Sequence, residues 1–314
     1  MLTPQARRLL DRFAEVGVLS FEQLGVIGSR ASVAAGAALL LPPTPVAQVR
    51  DLLVDGQDGR LPARLYHPEP GGELPLLVFF HGGGWVTGDV EGSDPACRAL
   101  AVACRVAVLS VGYRLAPETP DPGPVQDCLA AYLWAREHRA ELGSRDQQVV
   151  LMGDSAGGTL ATGVCLRARD AGLPAPSALV LLYPPTVPPW CASFPSYEQN
   201  AVGFGLTAAG MTWFWEQYLG DRRVPSHIAA PLLAPDLSGL PPSLVVTAEH
   251  DPLRDEGAAL AAALQRADSP CTHLAYDGAI HGFLSMARVL PEGEQAISDV
   301  RDFLVSSGVC QHSS

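Results

Sequence analysis

The chain has 314 residues, of which 47% are apolar and 17% charged. This is a globular composition with ample material for one large core, and it excludes a disordered chain. The net charge of −12 excludes a nucleic-acid-binding surface, because no basic stripe offsets phosphate repulsion.

Thr3 to about Leu41 reads as helical. Leu9, Leu10, Phe13 and Val16 recur at helical spacing, and Pro42-Pro43 ends the segment. Its apolar end, from Ala31 to Leu41, is too short to span a membrane and starts too late for a signal peptide. No membrane association is expected. Val49 to Tyr66 has strand character interrupted at Asp55-Gly56-Gln57-Asp58-Gly59, which predicts a hairpin turn. Leu76 to Phe80 is a continuous apolar run, the signature of a strand covered on both faces.

The rhythm then repeats. Strands are predicted at Ala107–Val111, Val149–Met152, Ala178–Tyr183, Ser243–Ala248 and Thr272–Tyr276. Helices are predicted at Pro124–Glu137, after residue 157, at Arg254–Arg266 and at Glu292–Val305. Such alternation implies an α/β fold, a mostly parallel sheet flanked by helices. Residues 186–231 break the pattern with a Pro-rich loop and an aromatic helix, Thr207–Leu219. An insertion at that point predicts a helical cap over the C-terminal strand ends, where ligands bind in such sheets.

Seven cysteines lie at 97, 104, 128, 165, 191, 271 and 310, with no Cys-x-x-Cys pair. The spacing predicts neither a disulfide framework nor a metal site, and favours a reducing, cytoplasmic setting. No cofactor motif is present.

Gly153-Asp154-Ser155-Ala156-Gly157 lies between a predicted strand and a predicted helix. Gly-x-Ser-x-Gly in that context is a nucleophile elbow, a turn that holds a serine hydroxyl above the end of a sheet. A serine hydroxyl needs a base, an acid to orient the base, and donors for the oxyanion. The expected chain order is Ser, then acid, then His. Of the late histidines, His273 lies within a strand and His312 in a polar tail, whereas His281 lies in a loop just past a strand. His281 is therefore the candidate base. Asp251 follows the preceding strand and is held extended by Pro252. It is the candidate acid, with Glu249 as the alternative; Asp255 and Glu256 suit the helix dipole instead. The cluster His81-Gly82-Gly83-Gly84-Trp85 follows another strand, and its glycines let backbone N–H groups turn inward. Two of them, with the N–H of Ala156, form a candidate oxyanion hole. No Gly-Lys-Ser/Thr follows, so a phosphate-binding loop is disfavoured. His81 is expected to support the loop by local hydrogen bonding.

Five segments together resemble the hormone-sensitive-lipase-like family of α/β-hydrolase esterases. They are His81–Trp85, Tyr113-Arg114-Leu115-Ala116-Pro117-Glu118, Gly153–Gly158, Asp251-Pro252-Leu253-Arg254-Asp255-Glu256 and His281-Gly282-Phe283. The resemblance implies Ser155 as nucleophile, His281 as base and Asp251 as orienting acid. It implies Gly83, Gly84 and Ala156 as oxyanion donors, with Gly82 as an alternative. It also implies a cap built from residues 1–45 and 186–231, over a core made of 46–185 and 232–314. Arg114, Glu118 and Asp127 are expected to form a structural ion-pair set. The Pro-rich stretches at 119–124 and 184–191 depart from the family pattern near the pocket.

The implied activity is hydrolysis of short- to medium-chain carboxylic esters, with Trp85, Phe204, Leu206, Trp213 and Phe214 as candidate pocket walls. An amidase or deacetylase uses the same triad. A small-molecule receptor is disfavoured, because the plant gibberellin receptors that resemble this family lack the histidine present here as His281. The resemblance leaves a homodimer open.

Overall fold

The computed structural model describes residues 1–37, 44–144 and 147–310. The predicted helix end at Leu41 to Pro43, and His312, lie outside the described residues. Among the described residues eight strands form one sheet: β1 (Gln48–Gly56), β2 (Gly59–His67), β3 (Leu76–Phe80), β4 (Ala107–Val111), β5 (Val149–Asp154), β6 (Ala178–Leu182), β7 (Ser243–His250) and β8 (Cys271–Ile280). Their spatial order is β1-β2-β4-β3-β5-β6-β7-β8. The β1–β2 hairpin joins β4 antiparallel, and every other pair is parallel.

The chain runs from β3 outward to β4, then returns past β3 to β5. This reversal opens a crevice at the carboxyl ends of β3 and β5. The segment after β3 carries the glycine cluster and the segment after β5 carries Ser155, so the topology alone sets them side by side.

The apolar strands face two ways with period two. Leu76, Val78 and Phe80 share a core with α4 (Gly123–Glu137), α5 (Ala156–Asp170) and α8 (Arg254–Arg266). Leu77 and Phe79 share the opposite core with α3 (Asp94–Cys104) and α9 (Pro291–Ser306). Both faces are therefore covered, as the continuous apolar runs require. α3 is not among the predicted helices; its buried apolar face is Ala96, Cys97, Leu100, Ala101 and Cys104. Small residues dominate that face, which weakens the helical signal.

Within the segment expected to be helical lie two helices, α1 (Pro4–Glu15) and α2 (Phe21–Ala37). Gly17 takes φ +65° between them, and α2 bends at Gly25, whose φ is also positive. Within 186–231 lie a short helix, α6 (Pro195–Gln199), and the predicted aromatic helix, α7 (Ala208–Leu219). α7 packs against α2: Phe21 and Phe214 have ring centroids 5.0 Å apart. Thr207 caps α7 through Gly210 N–H and also hydrogen-bonds Glu22.

The predicted ion-pair set is rearranged. Arg114 pairs with Asp127 at 2.7 Å and with Asp58 at 2.9 Å. Glu118 instead pairs with Arg30 of α2 at 2.7 Å. That side chain also donates to the buried carbonyls of Val86 and Ala116 at 2.9 and 3.0 Å. Arg30 thus fastens α2 to the loops that follow β3 and β4. Substituting Arg30→Met leaves two buried acceptors unpaired, and is expected to destabilise the fold by about 1–3 kcal/mol. Urea denaturation checks the loss, and limited proteolysis should cut near α2 first; unchanged stability and cleavage would contradict this account.

Candidate active site

Ser155 has φ +50° and ψ −124°, a conformation that a non-glycine residue adopts only under constraint. The surrounding contacts supply it. A Cβ on Gly153 would lie 2.1 Å from the carbonyl carbon of Gly157, and one on Gly157 would lie 1.9 Å from the carbonyl oxygen of Phe80. Only glycine fits at either place. Ser155 N–H donates to Leu182 O at the end of β6 (2.8 Å), and Gly158 N–H donates back to Ser155 O (2.8 Å).

His281 follows β8 directly. The predicted strand ends at Tyr276, but pairing continues past a register shift to His250 opposite Ile280. The extension carries the imidazole to the sheet edge where Ser155 stands. His281 Nε2 lies 3.0 Å from Ser155 Oγ, and Nδ1 lies 2.7 Å from Asp251 Oδ2. A carboxylate only accepts, so Nδ1 carries the proton and Nε2 is left to accept from the serine hydroxyl. Asp251 is fully buried, and its other oxygen accepts Leu253 N–H at 2.9 Å. The ring of Tyr183, itself buried, meets His281 edge-on at 4.8 Å. In the sequence pattern Tyr183 is only the last residue of a predicted strand.

The alternative acid is engaged elsewhere: Glu249 accepts from the Met1 ammonium at 3.0 Å and from Gly278 N–H at 2.6 Å. His273, within β8, hydrogen-bonds Thr247 at 3.0 Å.

Of the three loop glycines, Gly82 uses its N–H on Asp154 Oδ1 at 2.9 Å. Gly83 and Gly84 take φ +108° and +60°, and their N–H groups meet no acceptor among the described residues. A Cβ would collide with Thr87 O at Gly83 (2.3 Å) and with the Phe214 ring at Gly84 (2.1 Å). Ala156 opens α5, so its N–H is one of those that a helix start leaves unsatisfied. His81 does support this loop. Its Nδ1–H donates to Gly82 O at 2.7 Å, and its ring stacks on Tyr113, whose hydroxyl donates to His81 O. Burial lowers the basicity of His81.

The candidate pocket residues divide. Phe214 touches Gly84 and packs beside Trp213, and Leu206 lies in the same apolar cluster. Trp85 is 1% exposed and sandwiched against Trp215 and Tyr218, so it braces the loop from within the core. Phe204 stacks on His250. A separate open cavity of about 580 Å³ lies between α2 and the loops at 88–92 and 114–119, and none of Ser155, Asp251 and His281 lines it. Among the described residues no cluster of His, Cys, Asp and Glu is arranged to hold a metal ion, and no helix is long and apolar enough to cross a membrane.

Two carboxyl groups near this arrangement, Asp154 partly buried and Glu256 fully buried, are held above the usual carboxylate range. Burial pushes Asp154 up to about 6, against the opposing effects of Gly82 N–H and His281. Burial likewise pushes Glu256 up to about 8, although it accepts from Tyr197 and from Thr186 N–H.

Comparison with known proteins gives a consistent picture. The profile of the alpha/beta hydrolase fold family matches residues 77–285. The carboxylic ester hydrolase LipN of Mycobacterium tuberculosis is 44% identical over 269 residues, covering 83% of this chain and 71% of that protein. An arylesterase of Saccharolobus solfataricus is 34% identical, covering 91% and 94%. Among solved structures, the hyperthermophilic esterase of Pyrobaculum calidifontis superposes with a TM-score of 0.93 at 36% identity, covering 98% of this chain and 99% of that one.

The raised carboxyl groups give a pH dependence with a definite sign. The folded chain holds each proton above the pH at which the unfolded chain releases it. The folded state therefore binds more protons, and this contribution falls as pH rises. For Glu256 the window runs from 4.5 to about 8. Glu256→Gln, which mimics the protonated group, should gain thermal stability relative to the parent as pH is raised through that window. Calorimetry at several pH values checks this, and a Tm difference that stays flat would refute it.

Proposed function

We propose, from the premise that this chain belongs to the alpha/beta hydrolase fold family and is a serine carboxylesterase of its hormone-sensitive-lipase-like branch, that Ser155, His281 and Asp251 are its catalytic triad. The observation that carries the assignment is the unbroken chain from Ser155 Oγ through His281 to Asp251, at 3.0 and 2.7 Å. Ser155 Oγ attacks the ester carbonyl while His281 Nε2 takes its proton. Asp251 holds the tautomer and stabilises the imidazolium. The tetrahedral oxyanion forms against the N–H groups of Gly83, Gly84 and Ala156; such donors are each worth about 2.7–4 kcal/mol. Gly82 is left out of this set, since its N–H is already bonded to Asp154.

Collapse of the intermediate breaks the ester C–O bond, and His281 gives its proton to the departing alcohol. Water then takes the alcohol's place. His281 deprotonates it, the resulting hydroxide attacks the acyl-serine, and the second collapse returns the proton to Ser155 and frees the acid.

We read residues 1–45 and 186–231 as one cap, a reading supported by the packing of α2 on α7. Phe214 against Gly84 supports a preference for short to medium acyl chains, because an aromatic ring closes the space beside the proposed oxyanion donors. The free thiols of Cys191, exposed, and Cys271, partly exposed, support a reducing, cytoplasmic location.

Ser155→Ala is expected to lower kcat on the order of 10⁶-fold and to abolish labelling by a fluorophosphonate probe. Near-parent hydrolysis by that variant would overturn the triad. Rates across p-nitrophenyl esters should peak at short to medium chains; a peak on long chains would overturn the preference.

A further inference from the structure

Asp251 stands in the turn between β7 and α8, outside the hydrogen-bonding of either element. One carboxylate oxygen is committed to His281 and the other to Leu253 N–H, so the side chain moves only with its backbone. That backbone is gripped from outside the core. Asn200, 3% exposed at the end of α6, donates through Nδ2 to Asp251 O at 3.0 Å and to Glu249 O at 3.2 Å. Ser196, fully buried on α6, donates through Oγ to Pro252 O at 2.7 Å and accepts Asp255 N–H at 3.3 Å. Ser196 N–H in turn donates to Asp255 Oδ2 at 2.8 Å. The carbonyls of three residues around the acid, 249, 251 and 252, are thus held by two side chains of a five-residue helix and its cap. Two bonds come from the turn's own side: Arg254 N–H reaches Asp251 O at 3.1 Å, and Arg254 Nη1 reaches Glu249 O at 3.3 Å.

We propose that Asn200 and Ser196 are positioning residues for Asp251, so that α6 serves the reaction as a clamp on the acid turn and not merely as a link to α7. The proposal rests on the assignment of Asp251 as the orienting acid. Buried carbonyl groups must be paired. Once the amide of Asn200 is removed, the carbonyls of Glu249 and Asp251 keep only their bonds from Arg254, on the turn's own side; nothing then ties them to α6, and Asp251 carries any shift of the turn to His281. A misplacement of about 1 Å in a catalytic array can cost on the order of 100-fold in rate. The effect falls on kcat, because neither residue touches the ester.

The test uses the full-length protein. Asn200→Asp keeps the side-chain shape but replaces the amide donor with a carboxylate; Ser196→Ala removes the hydroxyl. For each variant, kcat and KM on a short-chain p-nitrophenyl ester, the pH–rate profile, the Tm, and the downfield proton resonance of His281 Nδ1–H are measured. Asn200→Asp is expected to lower kcat about 10- to 100-fold with KM within about twofold, and to shift or broaden the Nδ1 resonance. Ser196→Ala should do the same to a lesser degree. Variants with lower Tm but parental kcat, pH profile and resonance would reduce both residues to a structural role and overturn the proposal. Should Asn200→Asp fail to fold, Ser196→Ala alone decides by the same readouts. Asp251→Asn is run beside them: if it keeps parental kcat, the triad assignment fails. If it is inactive while the α6 variants are parental, only the clamp fails.

Discussion

The first turn of α5 and the end of β3 approach so closely that no Cβ fits between Gly157 and the Phe80 carbonyl. Most of the site's geometry depends on that contact. It holds the elbow against the strand that feeds the glycine loop, and so fixes Ser155 relative to Gly83 and Gly84. Asp154 completes the join by accepting Gly82 N–H, which ties the residue before the serine to the loop opposite. The proposed oxyanion donors and the Ser155 hydroxyl are therefore parts of one rigid unit. The strained backbone of Ser155 is sustained by this unit and by the bond from its N–H to the end of β6.

Asp251 and His281, the proposed acid and base, are held differently. They come from the ends of β7 and β8, neighbouring strands whose pairing slips at Ala248/His250 and resumes at Ile280. The slip lets His281 lean toward Ser155 while its strand stays in the sheet. Tyr183, at the end of β6, fills the space beneath the imidazole and links it to Phe283. Thus the proposed reacting groups come from four strand ends, those of β3, β5, β7 and β8, and the end of β6 among them steadies both Ser155 and His281.

How much of this could be read from the sequence follows from the range of the interactions. Buried parallel strands leave continuous apolar runs, so β3 and β4 could be bounded to the residue. The elbow and glycine loop are local patterns of small residues and were equally legible, as was the family. α3 and α6 were not: one buries a face of small residues and the other spans a single turn. The partner of Glu118 was missed because Arg30 lies 88 residues away. Asp154, Tyr183 and Asn200 escaped for the same reason. Each acts through a contact to a distant backbone or ring, and such contacts have no period and leave no local signature.

The seating of α6 also bears on how esterases of this kind can be recombined. Residues 186–231 look like a module that could be exchanged whole, since they enter and leave the sheet between β6 and β7. Such a graft would replace two things at once: the aromatic ring that α7 sets against Gly84, a proposed pocket wall, and the side chains that grip the turn after β7. A junction placed just after Asn200 separates them. It leaves the turn with its own partners while the wall is free to vary, and Gly203 and Gly205, with φ near +90° and open space around them, give a seam that tolerates the change.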